Sequence, residues 1–244
     1  MQEYNYNRQV YIARRKKRKR KIIIRRIIFA GLTALLTASL IMVGVSIYSL
    51  IAPDKFDEGF IPSPFGKNVS EKVEKAKELE IPDWIDKQII SVHTTARTGR
   101  NLTDIKNVVI HYVGNPNTTA QNNRNYFNNP KTTVSSHFVV GLEGEIIQCV
   151  PIYEMSAASN DRNKDTISIE VCHPDESGKY NEKTYSSVIN LTAWICNNFS
   201  LDENDIIRHY DITGKICPKY YVENEDAWEQ LKQDVKEKLK EYDE

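Results

Sequence analysis

No CxxC pair, no HExxH segment and no internal repeat occur in this sequence. The first absence argues against zinc fingers and ribbons, the second against a helix-borne metalloprotease site. The third removes solenoid architectures. The four cysteines, Cys149, Cys172, Cys196 and Cys217, are scattered and do not form a dense framework, so few or no disulfides are expected. Acidic residues are nearly missing from the head of the chain. Met1 to Arg26 holds eleven of the 33 basic residues but only one of the 33 acids, Glu3, so the zero net charge divides into about +10 and −10. Charge is missing altogether from Ile27 to Ala52.

That uncharged run decides the first expectation. At 1.5 Å per residue it reaches roughly 39 Å as a helix, longer than the roughly 30 Å hydrocarbon core of a bilayer. Cleaved signal peptides have apolar regions of about 7–15 residues and a small-residue cleavage site. Here the run is longer and enters Pro53-Asp54-Lys55 without such a site. Residues 27–52 are therefore expected to be a retained transmembrane helix, with 1–26 a basic cytoplasmic segment. The basic flank lies on the N-terminal side only, so the positive-inside rule puts everything beyond residue 52 outside the cell membrane. Beside a membrane helix the basic head reads as a topology signal and a contact for the lipid bilayer, not for nucleic acid.

Residues 53–80 read as a linker and stalk, with a short Lys- and Glu-rich helix over Asn68 to Leu79 that Ser70 would cap. From residue 81 the texture is globular. Asn107 to Ile110 fits a buried strand and Thr118 to Asn128 a helix. Ser136 to Val140 and Glu145 to Val150 flank the turn signal Gly141-Leu142-Glu143-Gly144. Thr166 to Cys172 alternates as a strand, Thr184 to Phe199 has helical spacing, Asp205 to Arg208 is a short strand or turn, and Asp226 to Tyr242 is a charged amphipathic helix. Strands mixed with helices, one hairpin among them, predict an α/β fold with a mixed central sheet flanked by helices, monomeric, in residues 81–244.

Three local features could do chemistry. His111 stands where an apolar strand opens into a loop, although a lone histidine there is more often structural. The segment RHYDITGKICPKYY puts His209, Lys215 and Cys217 within nine residues, and imidazole and thiolate are the preferred zinc ligands. Alone, this spacing is weak. Glu170 lies opposite Ile169 and Val171 on its strand, and by local pattern alone reads as a solvated charge on an edge strand.

Taken together, IHYVGNP, SSHFVVGLEGEI, SNDRNKDTISIEVCH and HYDITGKICP resemble, in order and spacing, the zinc-dependent N-acetylmuramoyl-L-alanine amidases, a family that includes phage endolysins and peptidoglycan-recognition proteins. The resemblance covers roughly Trp84 to Leu239. It implies that His111, His209 and Cys217 hold Zn2+, that Glu170 is the catalytic acid/base and that Lys215 stabilises the transition state. His137, in the SSHF block, is expected to line the substrate site or to support it. Some members carry a Tyr just before that histidine, where this chain has Ser136, which points to the Glu version of the machinery. The implied substrate is peptidoglycan, cut between N-acetylmuramic acid and L-alanine. The alternative is a non-catalytic peptidoglycan-binding or sensor module. Members of that kind typically lack the Cys ligand.

Overall fold

The computed structural model describes residues 69–92 and 95–242. The expected cytoplasmic segment and transmembrane helix lie outside them. Among the described residues no helix is long and apolar enough to cross a membrane.

Six strands form one mixed sheet: β1 (Ile85–Lys87), β2 (Asn107–Ile110), β3 (Phe138–Val140), β4 (Ile146–Gln148), β5 (Thr166–Val171) and β6 (Ile206–Arg208), in the order β1-β4-β3-β5-β2-β6. Only β3 and β4 run antiparallel. They are the expected hairpin, closed by a Gly141 N–H to Glu145 carbonyl bond of 2.8 Å, with Gly144 at φ 85, where a glycine is the natural occupant. The other neighbours are parallel. Parallel strands need coverage on both faces, and β2 and β5 are buried along nearly their whole length.

Six helices are described: α1 (Glu71–Glu78), α2 (Ala120–Phe127), α3 (Glu182–Phe199), α4 (His209–Thr213), α5 (Lys219–Glu223) and α6 (Glu225–Lys240). Strand alternation divides the core in two. Val108, Ile110, Phe138, Ile167 and Ile169 join Val188, Leu191 and Ile195 of α3 and Leu231 and Val235 of α6 in one cluster. Val139, Ile147 and Cys149, on the other face, pack with Ala120 and Phe127 of α2. Thr119 caps α2 through a reciprocal bond pair with Asn122, and Asn181 caps α3 by accepting the N–H of Thr184. Trp194 and Trp228 are buried in the larger cluster.

Two expectations need correction. Glu71–Glu78 is not a free stalk, because Val73 and Ala76 are buried in the main core and Ser70 donates its N–H to the Thr103 carbonyl at 3.1 Å. Three residues apart, Val73 and Ala76 share one face; the Lys and Glu around them conceal that face in a composition-based reading. Ser70 stands at the N-cap, but its side chain makes no capping bond. Nor is β5 an edge strand, since it lies between β3 and β2.

Val73→Ala tests whether α1 belongs to the domain. Loss of two buried methyl groups should cost roughly 1–2 kcal/mol and lower Tm by about 2–6 °C, measured by calorimetry. A Tm equal to the parent's would return α1 to the status of a stalk.

Candidate active site

Of three adjacent parallel strands, β2 and β6 end on one row and β5 runs two residues past it. Ile110 of β2 pairs with Ile169 of β5 and with Arg208 of β6. The next residues in each strand direction, His111, Glu170 and His209, therefore stand side by side, on strands spaced about 4.8 Å apart. The pairing persists past the strand end, where His111 donates its N–H to the Ile169 carbonyl at 2.9 Å and Val113 to that of Val171 at 3.0 Å. Alternation turns all three side chains away from the α3 face, because Ile110 and Ile169 occupy it. The Tyr180 hydroxyl, itself buried, donates to the His111 carbonyl at 3.0 Å.

Cys217 arrives by a return loop. After the single turn of α4, Gly214 adopts φ 76 and donates to the Tyr210 carbonyl at 2.8 Å, the left-handed close that favours glycine. Tyr210 in turn donates to the Cys217 carbonyl at 3.0 Å. This closure sets the Cys217 sulfur 3.8 Å from His111 Nδ1. One ligating atom from each of His111, His209 and Cys217 falls within a 4.8 Å cluster. Arg208 fixes the root of the loop: it caps α4 through Asp211 and also reaches the Tyr221 carbonyl at 2.9 Å and Glu225 at 2.7 Å.

Burial sets the charge state of the cluster. It holds the His111 imidazole well below its ordinary 6.5, with the neighbouring His209 and Lys215 charges adding to the effect. His209 is lowered too, by burial and by Lys215. Both rings are thus neutral at pH 7 and keep a lone pair for a cation. The Cys217 thiol is pushed up to about 12 by burial and then by Glu170. Glu170 rises to about 8 by burial, partly offset by Lys215, and its Oε2 atom is buried without a hydrogen-bond partner. His209 Nδ1 is likewise buried and unpartnered, while its Nε2 meets Asn160 Oδ1 at 3.0 Å. Two neutral imidazoles, a sulfur and an orphaned ring nitrogen fit a borderline-soft divalent cation such as zinc.

The cluster opens into a cleft of about 810 Å³. His111, His209, Glu170 and the exposed Lys215 line it, and Cys217 sits behind them. Asn115, Asn122 and Asn123 supply an uncharged polar wall near α2. His137 does not reach the cleft. It is fully buried, with Nε2 against the Glu154 carbonyl at 2.8 Å and Nδ1 accepting the Ser168 N–H at 3.0 Å, so it supports the sheet instead of touching substrate. Ser136 is equally enclosed, its hydroxyl donating to the Ser168 carbonyl at 2.8 Å.

Residues 101–220 match the family model described as N-acetylmuramoyl-L-alanine amidase. Over those residues the chain is similar to that family. The chain is 32% identical over 171 residues to the N-acetylmuramoyl-L-alanine amidase BlyA of Bacillus subtilis (strain 168), covering 62% of this chain and 46% of the relative. It is 30% identical over 153 residues to the amidase CwlL of Bacillus licheniformis, covering 56% and 42%. The chain thus spans about half the length of the curated relatives it matches. The solved catalytic domain of XlyA aligns with a TM-score of 0.55 at 24% identity, over 62% of this chain and 98% of that one, a likeness of fold.

Sequence reasoning missed Ser159 and Asn160, which contact the outer nitrogens of both histidines. Their place inside the SNDRNKDTISIEVCH block was the available signal.

Glu170 generates a pH prediction for this domain. The unfolded chain releases the Glu170 proton near 4.5 and the folded one near 8, so folding loses stability as pH rises through that window. In chelator-treated protein, Glu170→Gln should therefore gain Tm over the parent between pH 5 and 8, the gap levelling off above 8. A gap independent of pH would show that burial does not hold the proton on Glu170.

Proposed function

We propose that this chain is a membrane-anchored zinc amidase that cleaves peptidoglycan between the lactyl group of N-acetylmuramic acid and L-alanine. The observation that carries the reading is the row of His111, His209 and Glu170 at the open end of three parallel strands, with Cys217 returned beside it. The family-model match and the amidase relatives support the substrate class. The binding-only alternative is disfavoured because Cys217, Lys215 and Glu170 are all present in one cleft or directly behind it.

The chemistry divides among the chain's own groups. A zinc ion held by His111, His209 and Cys217 would polarise the amide carbonyl, acidify the attacking water and favour the ionised form of the neighbouring Glu170 carboxylate. Glu170 then takes a proton from the water and returns it to the leaving L-alanine nitrogen as the carbonyl C–N bond breaks. Lys215, on the rim, meets the negative charge that develops on the carbonyl oxygen, a contact worth roughly 3–4 kcal/mol. The neutral cleft walls can bind amide and hydroxyl groups without imposing a charge of their own.

Digestion of purified peptidoglycan by the full chain should release new L-alanine amino termini. Chelation should stop the release and zinc should restore it. Glu170→Gln should retain zinc while kcat falls roughly 10²–10⁴-fold. Zinc lost from this variant would make Glu170 a ligand and sink the mechanism. Near-normal activity with zinc bound would move the base elsewhere.

The anchor rests on residues 27–52 and their basic flank. Protease added to intact wall-stripped cells should degrade the catalytic domain. Its full protection while the N-terminus is cut would reverse the topology.

A further inference from the structure

We propose that Asn160 is a positioning residue that selects the His209 tautomer, and so presents Nδ1 to the metal. The inference rests on the metal-site reading above but concerns a residue that reading does not use.

An imidazole offers a lone pair from one nitrogen only when its proton sits on the other, and the partner of the protonated nitrogen decides which. In His209, Nε2 lies 3.0 Å from the Asn160 side-chain oxygen, an acceptor with no proton to give. Nε2 must therefore carry the hydrogen. Nδ1 is then left with a bare lone pair, and this is the buried atom for which the protein supplies no partner. With the opposite tautomer, the Asn160 oxygen would face a second lone pair and a buried N–H would stand unpaired at Nδ1, two penalties instead of none once a cation is bound. The adjacent Ser159 hydroxyl stands 3.4 Å from His111 Nε2, so consecutive residues of one loop attend the outer edges of both rings.

The loop is built for this. Asn160 has φ 53, a left-handed conformation that non-glycine residues seldom adopt and that asparagine tolerates best. Its surroundings over-determine that backbone. Asn163 donates its N–H to the Asn160 carbonyl at 3.0 Å, and its side-chain oxygen accepts the N–H of Ala158 at 3.1 Å and that of Ser159 at 2.6 Å. A left-handed residue in a loop tied down by three bonds from Asn163, carrying a side chain aimed at the His209 ring, serves that ring better than it serves folding.

Asn160→Gly separates the two roles, since glycine accepts φ 53 without strain and removes only the acceptor. Asn160→Asp keeps an acceptor in place. In the detergent-solubilised full chain with nitrogen-15 histidine and zinc stripped, ring spectra should show His209 protonated at Nε2 in the parent and in Asn160→Asp. In Asn160→Gly, a mixture or the Nδ1–H form should appear. Zinc affinity by chelator competition should weaken roughly 10–100-fold in Asn160→Gly and recover to within about threefold in Asn160→Asp. An unchanged His209 tautomer in Asn160→Gly, or zinc affinity there within about twofold of the parent, overturns the proposal. His209→Ala distinguishes the failures. If it loses zinc while Asn160→Gly behaves as the parent, only the positioning role falls. If it keeps stoichiometric zinc at parental affinity, the metal-site reading falls and this one with it.

Discussion

Register between β2 and its two parallel neighbours is the constraint on which the site depends. The side-chain period of a strand is two, so a slip of one residue turns a whole row to the other face. A slip of β2 against β5 or β6 would turn His111 into the α3 core and leave Glu170 or His209 without it. The register is pinned from the apolar side. Ile110 and Ile169 are matched on the covered face and fully buried, so moving the catalytic row would drive polar groups into that core. The same packing that stabilises the domain thus aligns the residues of the candidate site.

Burial has a second effect on these groups. It strips charge from the cluster, leaving each imidazole neutral with a single ring proton, and a carboxyl and a thiol that keep theirs. Such a site is poorly served by water and well served by a compact divalent charge. The exposed Lys215 stays on the rim, where its charge faces the cleft without paying for burial.

The larger elements were legible because they repeat. The apolar run of β2, the hairpin glycines and the helical spacing of Val188, Leu191 and Ile195 each announce themselves locally. The candidate ligand residues could be picked out only through the four ordered blocks, since His111 or H-x7-C alone would not have been persuasive. β1 escaped because it is three residues with a single buried side chain, Ile85. α4 and α5 are single turns with no period to detect. Glu170 was read locally as an edge charge, because alternation says which residues share a face but not what covers it. His137 was drawn toward the substrate by its neighbours in the SSHF block, and only three-dimensional packing shows both its nitrogens already engaged.

The Arg208 hub has a consequence in time. Cys217 is almost fully enclosed, and the loop that carries it is rooted in a guanidinium held by Asp211, Glu225 and the Tyr221 carbonyl. No solvent-borne reagent reaches the sulfur until that loop swings outward. Chemical modification of the sulfur is then paced by local opening, whereas the histidine side of the cluster stays open to the cleft. Cutting Arg208 loose would quicken that modification while leaving His111, His209 and Cys217 in the sequence untouched.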